Sequence, residues 1–160
     1  MIKRYLFAIL LLFVCAGSYA QSLSFEDLLN MTNMTGTQVH DFLTTSKGFK
    51  PAGTQMVNGR SMDQYKSTGG GTPDKIETVL VGAIVKSMAG STSRPVSYLT
   101  LQESDINALL AQAKKSTLTL VFQGSDQKTY IYRFDNSLFR ASISLSFDKK
   151  YGSIDVQQKE

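Results

Sequence analysis

The sequence predicts an α+β domain, with helices packed on a mostly antiparallel sheet. Three observations carry that expectation. Residues 138–147 alternate without a break. Phe139, Ala141, Ile143, Leu145 and Phe147 fall on one side; Leu138, Arg140, Ser142, Ser144 and Ser146 fall on the other. A period of two is that of a strand with one dry and one wet face. Asn58-Gly59 separates Met56-Val57 from Met62, and this pair is the favoured two-residue hairpin turn. Finally, Ile106, Leu109, Leu110 and Ala113 recur at helical spacing, so amphipathic helices accompany the strands.

The chain opens with Lys3 and Arg4, followed by an apolar stretch over residues 5–16. At ~1.5 Å per residue, such a helix reaches only ~18 Å, well short of a ~30 Å bilayer core. Ser18-Tyr19-Ala20 follows with small residues at both ends. Basic start, apolar stretch and small-x-small end describe a secretory signal peptide over residues 1–20, cut after Ala20. The rival is a lipoprotein anchored through Cys15, but bulky Val14 stands where a small residue is wanted. Cleavage after Ala20 removes Cys15, the only cysteine, so no disulfide is expected in the exported chain. A periplasmic or secreted location follows, with no transmembrane helix left after signal removal.

Export also lowers the charge. The whole chain has 17 Lys and Arg against 13 Asp and Glu; losing Lys3 and Arg4 leaves 15 against 13, and the net charge falls from +4 to +2. Lys114-Lys115 and Lys149-Lys150 are isolated pairs, so nothing tracks a phosphate backbone and nucleic acid is not an expected partner.

The elements follow in order. Ser24 begins a helix, with Asp27 three residues on as in a capping box and Leu28, Leu29 and Met31 along one side. Thr37 is the expected cap of a second helix, with Val39, Phe42 and Leu43 on one face and Gly48 at its end. Asn30 and Asn33 head Asn-x-Thr sequons. Met31 between them reads as a core residue, so the stretch is taken as a helix junction rather than a glycan site. After the hairpin, residues 67–73 read as a loop. They are not a phosphate cradle, since Asp74-Lys75 departs from the required Gly-Lys-Ser/Thr.

Residues 76–88 are apolar on both sides and read as a central strand, with residues 95–101 as its partner. Ser104 is the expected cap of a third helix. Strands over residues 117–123, 129–134, 138–147 and 152–157 complete the chain, the last with Ile154 and Val156 inward. Tyr130, Tyr132 and Phe134 also alternate, and directly paired residues share a face. Pairing Phe134 or Tyr132 with Phe139 keeps all the rings on the dry side, whereas a slip by one buries Arg140. The turn around Asp135-Asn136 should therefore take two or four residues, not three.

The order of elements repeats. Residues 37–101 read helix, two strands, two strands, and residues 104–158 read the same way. "DFLTTSKGF", residues 41–49, is similar to a helix end found in small exported bacterial proteins. With that stretch, the layout resembles the tandem helix-plus-four-strand arrangement of beta-lactamase-inhibitor-protein-like domains. The resemblance covers most of the chain beyond residue 20. It implies one domain over residues 21–160, with halves at 21–101 and 102–160, and a binding role. That family usually carries disulfides, which this exported chain would lack.

No reactive constellation stands out. His40 is the only histidine, and "GRSMD", residues 59–63, lacks the final glycine of a nucleophile elbow, so a triad is not expected. One histidine without cysteine does not supply a zinc site, and no calcium-loop pattern occurs. No cofactor is expected. The reading taken is an exported, non-catalytic binding module of a bacterial envelope, not an enzyme. Its partner would be another envelope or secreted protein, or a glycan. Its expected surface is the wet strand face: Arg133, Arg140, Ser142, Ser144 and Ser146, where hydroxyls beside two arginines suit a carboxylate, a glycan or a protein. The alternative is a carboxylate-dependent envelope hydrolase, drawing on acids such as Asp63, Glu77 and Asp126.

Overall fold

The computed structural model describes residues 23–68, 75–86 and 92–159. The expected signal peptide and its cleavage point lie outside these residues, as does most of the expected loop over residues 67–73.

The first helix, α1 (Phe25–Met31), starts as the sequence suggests. The Ser24 hydroxyl accepts from the Asp27 N–H at 3.1 Å, and the Asp27 carboxylate accepts from the Ser24 N–H at 2.8 Å. Helix α2 (Gly36–Asp41) is capped by Thr35, not Thr37. Gln38 stands three residues beyond Thr35 and closes a second capping box, which Thr37 has no partner to make. A π-helical turn, Phe42–Ser46, continues α2, and Gly48 ends it at φ +71°, a left-handed conformation suited to glycine. Leu28, Met31, Val39, Leu43 and Phe49 are buried, as their spacing implies. Asn30 and Asn33 flank the end of α1.

Helix α3 (Glu103–Lys115) begins one residue before the expected cap. Gln102 is its N-cap and Ser104 lies inside the first turn. The Thr100 hydroxyl accepts from the Gln102 N–H at 3.0 Å, so the chain feeding the helix supplies the acceptor. Ile106, Leu109, Leu110 and Ala113 are all buried. Among the described residues no helix is long and apolar enough to cross a membrane.

The strands are β1 (Lys50–Val57), β2 (Arg60–Lys66), β3 (Thr78–Gly82), β4 (Val85–Lys86), β5 (Thr92–Ser93), β6 (Val96–Thr100), β7 (Thr119–Ser125), β8 (Thr129–Asp135), β9 (Phe139–Ser146) and β10 (Gly152–Gln158). Eight form one sheet in the order β1-β2-β3-β6-β10-β9-β8-β7, with antiparallel neighbours throughout. Two four-stranded meanders thus meet through their last strands, β6 and β10. Tyr98 opposite Ile154 is the middle of the five pairs that join them. Helix α2 precedes one meander and α3 the other, so the tandem order read from the sequence is the order of the fold.

Asn58 and Gly59, both at positive φ, turn β1 into β2. The expected long strand over residues 76–88 is shorter. At Gly82 the chain closes on Pro95, donating its N–H to the proline carbonyl at 2.9 Å, then leaves the sheet; β4 pairs separately with β5. Met88 lies outside the described residues.

The register of β8 on β9 puts Phe134 opposite Ala141 and Tyr132 opposite Ile143. The specific partners differ from Phe139, but the parity is the expected one. Asp135 faces Arg140, which leaves residues 136–139 to make a four-residue reversal. Strand β9 stops at Ser146, so Phe147 falls outside the alternation and is 44% exposed, its ring edge-on to Tyr130.

The helices cover one sheet face. Val79, Val81, Val96, Tyr98, Ala141, Ile143, Ile154 and Val156 point into it with the apolar sides of α1 and α3. Gly152 allows the closest approach: a Cβ there would lie 2.2 Å from Cγ1 of Ile106, so a side chain would push α3 off the sheet.

Candidate functional site

The other face of the sheet is not covered by these helices. Register assembles its side chains in rows across both meanders. Ser97 on β6 lies opposite Asp155 on β10, Asp155 opposite Ser142 on β9, and Ser142 opposite Arg133 on β8. Two residue pairs along, Arg140 lies opposite Gln157. A hollow of about 440 Å³ opens here, lined by the polar residues Asn58, Arg60, Ser97, Arg140, Ser142, Asp155 and Gln157, with Met62 and Pro95 supplying apolar surface. A second hollow of about 400 Å³ shares Arg60, Pro95, Arg140 and Gln157, and adds Ser93 and Lys159. Together they form one cleft running off the strand ends.

The electrostatics are set by how few of these charges are locked together. The Ser97 hydroxyl donates to Asp155 at 2.5 Å. Lys159 sits 2.6 Å from Asp135, and Arg140 reaches the same carboxylate only at 3.9 Å. The hydrogen bond from Lys159 is the main reason the Asp135 carboxyl is held below its ordinary range, with Arg140 adding to it through space. Arg140 is 54% exposed, and the acid nearest to it is already engaged by Lys159. Arg60 has no ion pair among the described residues.

The expected surface residues are thereby sorted. Arg140 and Ser142 line the cleft. Arg133 shares their face but stacks over the Phe122 ring at 5.2 Å, away from the hollow. Ser144 lies one row along, between Ile131 and Ser153. Ser146 is buried, and its hydroxyl staples the β9–β10 turn by donating to the Tyr151 carbonyl and accepting from the Lys150 and Tyr151 N–H groups. It is not part of a binding surface. Arg60, Ser97, Asp155, Gln157 and Lys159 escaped the sequence reading; Arg60 and Ser97 come beside β9 only through the β6–β10 junction, whereas Asp155 and Gln157 lie on β10, directly paired with β9. The alternation of Ser97, Leu99 against Val96, Tyr98 was the available signal, and it is brief.

The acids considered for hydrolysis are dispersed. Asp63 is on β2 and exposed. Glu77 is buried and accepts from the Tyr98 hydroxyl at 2.9 Å. Asp126 caps the β7–β8 turn, accepting from the Lys128 and Thr129 N–H groups at 2.7 Å each; these bonds hold its carboxyl below the ordinary range. Four strands separate β2 from β8 in the sheet. Nδ1 of His40 lies 3.4 Å from the Tyr65 hydroxyl. Among the described residues no three His, Cys, Asp or Glu side chains gather as a metal site.

No family model matches the chain, and no curated protein or solved structure matches it.

Proposed function

We propose that the protein is an exported, non-catalytic binding module whose open sheet face takes a carboxylate-bearing ligand, on a glycan or on another envelope or secreted protein. The observation that carries this reading is that Arg60 and Arg140, from different meanders, border one cleft; among the described residues Arg60 has no ion pair, and Arg140 has only a 3.9 Å approach to an acid that Lys159 holds at 2.6 Å. A guanidinium presents a planar fork of donors matched to a carboxylate. Ser97, Ser142 and Gln157 supply neutral hydrogen-bonding groups beside it, as sugar hydroxyls or peptide amides require. Export rests on the basic, apolar and small-x-small pattern of residues 1–20.

Calorimetric titration with an oligogalacturonate and with a glutamate-rich peptide tests the reading. Binding to at least one should weaken with salt, since exposed charges are screened over ~10 Å at 0.1 M ionic strength. Arg140→Glu and Arg60→Glu should each weaken it by about tenfold or more, roughly 1.4 kcal/mol. Equal affinity in wild type and both variants would discard the cleft.

A further inference from the structure

Arg94 joins β5 to β6 and turns to the helix-covered side of the sheet. Gly36 at the start of α2 fixes its direction: a Cβ there would touch Nη2 and Nη1 of Arg94 at 3.7 and 3.9 Å. Only 6% of Arg94 is exposed, and its Nε is fully enclosed with no hydrogen-bond partner. Among the described residues, no carboxylate lies within ion-pair distance of its guanidinium. A buried arginine with five donors normally has them met by carbonyls or carboxylates, because stripping water from the charge is otherwise uncompensated. Among the described residues that acceptor is missing.

The surroundings say what would fit. Asp63 and Tyr65 lie on the covered side of β2; burial pushes the pKa of the Arg94 guanidinium down, and the Asp63 carboxylate opposes this through space. The Tyr65 hydroxyl, itself 3.4 Å from Nδ1 of His40, adds a neutral polar group. Glycine at position 36 leaves the guanidinium face unobstructed by a side chain. The Asp63 charge opposes a second negative charge on anything held by Arg94.

We propose that Arg94 anchors a small-carboxylate site, separate from the open-face cleft, which binds a singly charged carboxylate through the Nη1–Nη2 edge of its guanidinium. The two oxygens of a carboxylate match that edge of the guanidinium, and one charge is what Asp63 tolerates.

The test follows the arginine Nε–Hε signals in ¹H–¹⁵N spectra as the purified protein is titrated with sodium acetate, with chloride at equal ionic strength, and with phosphate at mildly alkaline pH. One signal, assigned to Arg94 by its loss in Arg94→Lys, should move saturably with acetate and stay still with chloride. Phosphate should move it less. Gly36→Val keeps the arginine and sets methyl groups against the fork, so the acetate midpoint should rise by tenfold or more. Arg140→Glu should leave the titration unchanged, which separates this site from the cleft. No saturable movement, equal movement with chloride, a stronger response to phosphate, or an unaltered midpoint in Gly36→Val would each overturn the proposal. If Arg94→Lys does not fold, the Gly36→Val titration decides alone.

Discussion

In the second meander, β7-β8-β9-β10, the inner strands β9 and β10 keep the two sides of the sheet apart: β9 sends Ala141, Ile143 and Leu145 under the helices and leaves Arg140, Ser142 and Ser144 outside, and β10 buries Ile154 and Val156 while Asp155 and Gln157 stay exposed. The first meander, β1-β2-β3-β6, mixes them. Met62 and Leu80 are buried although they point to the open side, while Asp63, Glu77 and Arg94 lie on the helix side. The same topology is therefore filled in two ways. Consistent alternation specifies register and stability, and local departures from it are where a sequence serves something other than folding. The stability of the molecule should accordingly rest on the second meander, and its chemistry on the first and on the seam between the two.

The largest effect that sharpens this contrast is in the second meander. Ile143→Ala should lower unfolding free energy by about 2–5 kcal/mol, because it opens a cavity in the centre of the sheet. Arg94→Met should do the reverse in the first. It replaces a buried, unpartnered charge by an apolar chain of similar length and should raise stability by about 1–3 kcal/mol. Urea unfolding measures both. Destabilisation by Arg94→Met would mean that the arginine holds the fold together, and the contrast between the meanders would fail.

A smaller effect lies at α1. Burial pushes the Asp27 carboxyl up, but the Lys47 ammonium at 2.8 Å and the Ser24 N–H and hydroxyl outweigh it, so its pKa lies below the ordinary 3.8. The unfolded chain then takes up the proton first as pH falls. The stabilisation is complete above that ordinary value and is lost as pH falls through the folded one. Asp27→Ala should lose about 1 kcal/mol at neutral pH, less in acid, and denaturation across pH checks it. The smallest effect is Ser142→Ala, within about 0.5 kcal/mol of wild type, as expected of a half-buried hydroxyl on the open face of the sheet.

What the sequence disclosed follows the same division. The alternation of β9, the buried stripe of α3, the Asn58-Gly59 turn and the parity of β8 on β9 were legible, because each is a local pattern with one physical cause. Thr35 was legible too, through Gln38 three residues on, but Thr37 competes with it by type alone. The seam was not legible: Ser97 and Asp155 come from strands far apart in the chain, and nothing local to either announces the other. Arg94 reads as an ordinary loop arginine beside Pro95, since its burial depends on where α2 lands. Ser146 shows the converse failure. It continues the wet side of β9 by count, yet the turn that follows claims its hydroxyl.

The cleft at the seam is proposed as the binding surface. Backbone ¹H–¹⁵N spectra recorded during titration with an oligogalacturonate or a glutamate-rich peptide test it most directly. Shifts concentrated at Arg60, Ser97, Arg140, Ser142 and Gln157, on strands remote in sequence, are the predicted result. Shifts gathered on the helices or on the β7 edge, or none with either probe, would contradict it.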